Sequence, residues 1–146
     1  MAVTYVNNWN NILTALKTKI KTEFRIPVYS GWDFRAKGSQ FLRIIPMSSD
    51  QIDKAGFIER RIFNMDCQYY FLRRHDVKFE EYVTDTVSRL EALVHENLVL
   101  TLADGTTACD VSMGLLQFNF SIDDERFDKY FIVNWELTCE HYGNAA

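Results

Sequence analysis

Two long segments of alternating character constrain the fold of this chain more than any other feature. Near the end of the chain, YFIVNWELTCEH places apolar residues at every second position, namely Phe131, Val133, Trp135, Leu137 and Cys139. The positions between them hold Asn134, Glu136, Thr138 and Glu140. Because successive side chains of a strand point to opposite faces, this pattern predicts a strand with one face in the core and the other in water.

The segment RIFNMDCQYYF repeats the pattern earlier in the chain. Its apolar face comprises Phe63, Met65, Cys67, Tyr69 and Phe71. Its other face carries Asn64, Asp66 and Gln68. Two half-buried strands of this kind indicate an antiparallel sheet, since strands of parallel sheets are usually buried on both faces.

Two amphipathic segments supply helices for the apolar face. Over residues 8–21 the apolar positions follow the i, i+3, i+4, i+7 spacing of one helical stripe, and Asn7 or Asn8 can cap its start. A second helix is predicted over residues 77–96, with Asp76 as its cap. Asp85 and Arg89, spaced i, i+4, add modest support to it.

Shorter signals complete the order of elements. Residues 25–29 read as an edge strand because of Pro27, and a strand over residues 41–45 is expected to stop at Pro46. Polar loops are predicted at SGWDFRAKGSQ and MSSDQIDKAG. The Asp104-Gly105 turn predicts a hairpin into a strand over residues 107–121, with a bulge at Gly114.

The predicted order is therefore α-β-β-β-α-β-β-β, without internal repeats. It indicates a single α+β domain over residues 1–146, an antiparallel-rich sheet with two main helices packed on one face. A chain of 146 residues that is 47% hydrophobic can form such a core. Its 16 basic and 20 acidic residues give a net charge of −4, which argues against a dedicated binder of nucleic acid or of membrane surfaces.

The sequence carries little recognisable chemistry. It has no glycine-rich phosphate loop and no GxSxG, HExxH or EF-hand pattern. His75 beside Asp76 resembles an oriented base, but a strand end and a helix cap explain the two residues more simply. Three unpaired cysteines and an opening segment unlike a signal peptide predict reduced core thiols in a cytoplasm. We expect no catalytic, cofactor-binding or metal-binding residue.

Two surfaces are candidates for interaction. The two polar loops contain residue types common in interfaces or exposed loops, namely Trp32, Phe34, Arg35, Lys37, Gln51, Asp53 and Lys54. The alternative for Trp32 and Phe34 is that they fold back over the core as a lid. The second surface is the wet face of the two long strands, with Asn64, Asp66, Gln68, Asn134, Glu136 and Glu140. It is either an ordinary solvated face or the wall of a water-filled channel.

The order of these pieces resembles the tail terminator proteins of long-tailed bacteriophages, which belong to the neck and complete the tail. The resemblance lies in the opening helix, in PVYSGWDFRAKGSQFLRIIP and in ERRIFNMDCQYYFLRR. It continues through EALVHENLVL, the turn ADG and the closing DKYFIVNWELTC. It covers nearly the whole chain as a likeness of pattern and order.

The resemblance implies a non-enzymatic virion protein that forms a homo-oligomeric, usually hexameric, ring. Such a ring caps the tail tube, joins it to the head connector or stopper protein, and passes DNA without binding it specifically. The family has no catalytic residues and no cofactor, and the two loops are candidates for its tube contacts. Assembly in the host cytoplasm, without a membrane, is implied as well.

Two other functions remain open from the sequence. One is a small cone-shaped enzyme or ligand-binding protein whose pocket is lined by Tyr69, Phe71, Tyr82, Phe118 and Trp135, with Asp66 or His75 as base. Its discriminator is a deep apolar cavity that holds a titratable group. The other is a monomeric host-interaction or inhibitor module that uses the exposed loops.

Overall fold

The computed structural model describes residues 6–30, 40–55, 58–72, 77–96, 99–102, 104–119 and 130–144. Their two helices are α1 (Asn8–Phe24) and α2 (Phe79–Glu96). Their strands are β1 (Val28–Ser30), β2 (Gln40–Ala55), β3 (Ile58–Leu72), β4 (Leu100–Thr101), β5 (Thr107–Asn119) and β6 (Tyr130–Asn144). The predicted order and the single α+β domain are confirmed.

The strands form one sheet in the order β1-β2-β3-β6-β5-β4. β1 pairs with β2 in parallel, and the other four pairs are antiparallel. β3 and β6, the two strands with the clearest alternation, lie side by side at the centre. Their register runs unbroken from Ile58 opposite Asn144 to Leu72 opposite Tyr130. The strongest sequence pattern therefore forms the middle of the sheet.

Both helices pack on the face of the sheet that carries the apolar alternation. α1 contributes Ile12, Leu16 and Ile20, and α2 contributes Val83, Val87 and Leu90. From the sheet they meet the predicted row of β3 and β6 side chains, including the fully buried Cys67 and Cys139. Hydrophobic burial of these two helical stripes holds the layers together. No helix in the described part of the chain is long and apolar enough to span a membrane.

The structure contains the helix cap, the turn and the bulge that the sequence predicts at Asn7, Gly105 and Gly114. The Asn7 side chain accepts a hydrogen bond from the Asn10 N–H at 3.1 Å, which caps α1 as expected. Gly105 has a φ of +86°, a conformation that glycine adopts without strain, in the turn between β4 and β5. The β5–β6 register shifts between Met113 and Leu116, which confirms the bulge at Gly114. Asp76, the predicted cap of α2, lies outside the described residues.

The prediction that a loop follows Pro46 is wrong. β2 continues through that proline to Ala55 and pairs with β3 along its length, with register shifts after Pro46 and after Gln51. Proline is tolerated there because β1 pairs with residues 42–44, so among the described strands β2 is an edge strand from residue 45 onward. Asp53 lies opposite Arg60 and Lys54 opposite Glu59, and such opposite-charge pairs favour a paired strand.

Gln51, Asp53 and Lys54 therefore lie on a strand rather than in a loop. All three are exposed. We call the paired residues 48–55 and 58–63 the hairpin arm. The other predicted interface residues, Trp32, Phe34, Arg35 and Lys37, lie outside the described residues.

Candidate functional site

The face of the sheet opposite the helices is the main candidate for function. We call it the open face and define it by the polar residues that alternate out of β3 and β6, namely Asn64, Asp66, Gln68, Asn134, Glu136, Thr138 and Glu140. Five of the six predicted channel residues are half-buried, and Glu136 is exposed. The register places Asp66 opposite Glu136 and Gln68 opposite Asn134. The structure thus brings all six onto one surface, as the alternation predicts.

Two carboxylates face each other at the centre of the open face. Burial raises the pKa of Asp66, and the nearby Glu136 charge raises this pKa further. Arg43 of β2 opposes both effects and lowers the pKa of Asp66. Since Arg43 lies opposite Gln68, it is close enough to compensate part of the negative charge. The centre of the open face is therefore acidic, with the Arg43 guanidinium as a nearby positive charge.

A groove of about 740 Å³ runs over this acidic centre. Its lining includes Asp66 and Glu136 together with two strongly exposed apolar side chains. These are Met47 of β2, which is 63% exposed, and Leu115 of β5, which is 71% exposed. Sequence reasoning missed both. Leu115 follows Gly114 in the β5 bulge, where the shift in register breaks the alternation that would otherwise assign it a face.

One end of the open face is aromatic rather than polar. Phe41 and Tyr70 stack with ring centroids 4.5 Å apart, and Tyr130 meets Phe41 edge-on at 5.4 Å. With Ile132 they form a second, smaller buried cluster, which Tyr29 joins. The Tyr70 hydroxyl donates to Gln68 Oε1 at 2.7 Å, where the cluster meets the polar centre. The predicted wet face therefore begins only at Gln68.

The opposite end of the open face carries an ion pair. Arg60 donates to both carboxylate oxygens of Glu140, at 3.1 and 2.5 Å, and its guanidinium lies 5.8 Å from the ring centroid of Tyr142. The hydrogen bond from Arg60 holds the pKa of Glu140 below its ordinary value. Glu140 is therefore ionised, and the positive charge of Arg60 offsets it. Arg60 belongs to the hairpin arm, so this pair ties the arm to β6.

A possible metal-binding group lies beside that ion pair. Ligand atoms of Cys109, Asp110 and Glu140 are within 4.8 Å of one another. Glu140 is already engaged by Arg60, and burial together with the neighbouring carboxylates raises the pKa of the Cys109 thiol. A thiolate is the form that binds a metal, so this environment disfavours it. We assign no metal to the group.

The residues proposed for an aromatic pocket are placed in the core or on its border. Tyr69 and Phe71 stack with centroids 4.4 Å apart, and Trp135 is 2% exposed. The Gln40 side-chain amide donates a hydrogen bond to the Tyr69 hydroxyl, and burial raises the pKa of Tyr69 to about 12. Phe118 is half-buried and Tyr82 is exposed. His75 lies outside the described residues.

Between the helices and the sheet, the described residues line an apolar cavity of about 20 Å³. Leu16, Leu90, Cys67 and Trp135 contribute to its lining. Ligand pockets are commonly about 300–1,000 Å³, so a cavity of this size admits no substrate. Cys67 and Cys139 are inert by their environment, because burial raises the pKa of both thiols, that of Cys139 to about 12.

A buried histidine forms a short chain of hydrogen bonds near the β4–β5 turn. Thr106 Oγ1 lies 2.6 Å from Asp104 Oδ1 and 3.0 Å from His141 Nε2. Because a carboxylate only accepts, the threonine hydroxyl donates to Asp104 and accepts from a protonated Nε2 of His141. Burial lowers the pKa of His141, which keeps the ring neutral. This arrangement lacks an exposed nucleophile, and it fastens the turn to β6.

Comparison with protein-family models and with curated proteins finds no match. Among solved structures, one similar chain, whose name states no activity, is 16% identical to this one. The match covers 91% of this chain and 94% of that chain, with a TM-score of 0.58. At this level of identity the likeness supports the fold alone.

Proposed function

We propose that this protein is a structural subunit of a bacteriophage neck, a tail terminator. In this proposal about six copies form a ring that caps the tail tube and joins it to the head connector. The ring is part of the virion, is assembled in the host cytoplasm, and acts without catalysis, cofactor or membrane. The observation that carries the proposal is the open face, a polar and mildly acidic surface that neither helix covers.

The chemistry of the open face suits the wall of a DNA channel. Proteins that hold DNA neutralise phosphates with Lys and Arg, and the strength of binding follows the number of such contacts. Here the central charges are Asp66 and Glu136, with Arg43 beside them. The rest of the face carries the neutral amides and hydroxyl of Asn64, Asn134 and Thr138, which water can hydrate. Such a wall lets DNA pass without retaining it.

The hairpin arm suits contact with the next ring of the neck or tail. Residues 50–55 of β2 are exposed, and the arm presents Gln51, Asp53 and Lys54 together with the 44% exposed Ile52. The Arg60–Glu140 pair and the pairing of residues 58–63 with β6 stiffen it. A stiff, polar sheet edge loses little entropy when it docks, which favours specific assembly. The segment with Trp32, Phe34, Arg35 and Lys37 belongs to the same proposal.

The first test is assembly of the purified protein. We expect light scattering after size exclusion and negative-stain images to show rings of about six copies, formed alone or on polymerised tail tube protein. Capped tubes should stop growing. A protein that stays monomeric and binds neither tube nor connector protein would refute the proposal.

Variants separate the two surfaces. Replacing Gln51, Asp53 and Lys54 by alanine should weaken tube capping, whereas Ser88→Ala on the exposed side of α2 should leave it unchanged.

Asp66→Lys combined with Glu136→Lys should make assembled rings retain DNA in a salt-dependent manner. The matched control is Asp66→Asn with Glu136→Gln, which removes the charges without adding cations. If the lysine variant retains no more DNA than this control, the open face does not line the channel.

A further inference from the structure

The two helices carry opposite charges, α1 mostly basic and α2 mostly acidic, and one ion pair joins them. Arg89 of α2 binds Glu23 of α1, with Nε and Nη2 at 3.0 and 2.9 Å from Oε1 and Nη2 at 2.6 Å from the backbone oxygen. Glu23 is the only acidic residue of α1, and Arg89 is the only Arg or Lys of α2. The ion pair therefore neutralises the one acidic side chain of α1 and the one Arg or Lys of α2.

The remaining charges are of one sign on each helix. α1 keeps Lys17, Lys19 and Lys21, and α2 keeps five carboxylates, namely Glu80, Glu81, Asp85, Glu91 and Glu96. No ion pair within the described part of the chain engages any of these eight side chains. The helix dipole accounts for Lys21 in the last turn of α1 and for Glu80 and Glu81 in the first turn of α2. It does not account for the others.

The charges of α1 lie on two flanks. At about 100° per residue, Lys19 and Glu23 lie roughly 20–60° to one side of the buried Leu16, and this side faces α2 because Glu23 binds Arg89. Lys17 and Lys21 lie about 100–140° to the other side. They form a basic flank that points away from α2.

α2 has the complementary arrangement. Arg89 lies about 100° to one side of the buried Leu90, whereas Glu80 and Glu91 lie about 80–100° to the other side. Glu91 therefore projects away from α1. It lines a groove of about 360 Å³ between α2 and β5, together with His95 and four apolar side chains, namely Val94, Val111, Met113 and Leu116.

The basic flank and the groove belong to different parts of the helix face. α1 contacts both β1 and β4, and its basic flank points away from α2, whereas the groove lies between α2 and β5. β4 pairs only with Thr107 and Ala108. Within the described residues, the rest of β5 has no strand on its outer side. The groove is thus accessible to a neighbouring molecule at this edge.

We propose that the α2–β5 groove of one copy receives Lys17 and Lys21 of a second copy. The ammonium groups pair with Glu91, and the alkyl stems cover the apolar lining, as long basic side chains commonly do. Because the two surfaces differ, the contact is head-to-tail, and a head-to-tail contact whose rotation closes forms a ring. This inference rests on the proposed ring and names its subunit contact.

Charge reversal tests the contact with matched controls. Lys17→Glu or Glu91→Lys should each weaken self-association at least about tenfold, measured by analytical ultracentrifugation at low salt. Lys19→Glu, on the flank facing α2, and Asp85→Lys, on the outer side of α2, change the charge equally and should leave association near the wild-type level. Thermal melts verify that every variant is folded.

Mixing the two reversed variants gives the decisive result. Lys17→Glu combined with Lys21→Glu has an acidic donor for an acidic groove, and Glu91→Lys has a basic donor for a basic groove, so neither should assemble alone. In an equimolar mixture each donor meets a groove of opposite charge, and rings of alternating subunits should form. The contact would be overturned if the mixture does not assemble. It would also be overturned if Lys17→Glu self-associates as strongly as Lys19→Glu.

The outcome also separates this inference from the proposed function. If Lys17→Glu still forms complete rings, the function stands and the contact is wrong. If wild-type copies associate through these residues but never cap a tail tube, the contact stands and the function is wrong. If wild-type rings form only on the tail tube, the variants are compared there, and Lys17→Glu that caps tubes as well as Lys19→Glu refutes the contact alone.

Discussion

Asp66 lies directly opposite Glu136 in the register of the two central strands. Like charges in this position disfavour pairing, and burial of Asp66 adds to the cost of its ionised form. The fold tolerates this pair at the centre of its sheet, where amide or hydroxyl side chains would be more stable. A costly arrangement on a surface is easier to understand if the surface serves a purpose other than folding.

Asp66→Asn should stabilise the protein at neutral pH. The pKa of Asp66 is raised in the folded state, so the folded protein binds more protons than the unfolded chain as pH falls toward the ordinary value of about 3.9. Loss of the charge should raise the free energy of unfolding by a few tenths of a kcal/mol near pH 7, a small gain because the site is solvated.

Thermal unfolding of wild type and Asp66→Asn at two pH values tests this. The difference in Tm should shrink near pH 3, where wild-type Asp66 is itself protonated. Asp50→Asn, on an exposed part of the arm, serves as the control and should change Tm little. A lower Tm for Asp66→Asn at neutral pH would show that the carboxylate is stabilising.

His141 should make stability depend on pH in the opposite direction. Burial lowers its pKa, so above pH 6.5 both the folded and the unfolded forms are largely neutral. As pH falls below that value, the unfolded chain takes up the proton first, and the stability contributed by the neutral ring is lost as pH passes the lowered folded pKa. The free energy of unfolding should therefore rise between pH 5 and pH 7.

His141→Gln keeps a donor for Thr106 but does not titrate in this range. Urea unfolding from pH 5 to pH 8 should show a flatter profile for this variant than for wild type. His95→Gln, at an exposed position that lines the α2–β5 groove, is the matched histidine-removal control. Equal slopes for wild type and His141→Gln would exclude His141 as the source.

Sequence periodicity predicted the parts of the fold that depend on local alternation. β3 and β6 were assigned because their polar and apolar residues alternate over many positions, and the grouping of Asp66, Gln68, Asn134 and Glu136 followed from the same spacing. The helical stripes of α1 and α2 were recognisable for the same reason. Each of these patterns is contained within one element.

Features that depend on pairing between distant segments were not predicted. MSSDQIDKAG has the composition of a loop, and it forms a strand because its backbone pairs with β3 as far as Ala55 opposite Ile58. Arg89 was expected to support its own helix through Asp85, yet the structure directs it to Glu23 of α1. Register and helix packing decide these contacts, and neither can be read from one segment.

Cysteine reactivity should follow burial. Cys67 and Cys139 are fully buried and have raised pKa values, so both should resist alkylation in the folded protein. Cys109 is half-buried and should react first, although more slowly than a free cysteine because its pKa is also raised. Mass spectrometry after timed treatment with iodoacetamide measures the order, with denatured protein as the control. Early labelling of Cys67 would contradict the packing described here.

Leu90 should be among the most costly core residues to truncate. Its side chain is fully buried on α2 and borders the small cavity shared with Leu16, Cys67 and Trp135. Leu90→Ala enlarges this cavity, and buried leucine truncations of this kind cost about 2–5 kcal/mol. Leu115→Ala removes the same atoms from a 71% exposed site and should change stability by less than about 0.5 kcal/mol. Urea unfolding of both variants provides the comparison, and similar losses at the two positions would mean that α2 does not pack on the sheet through Leu90.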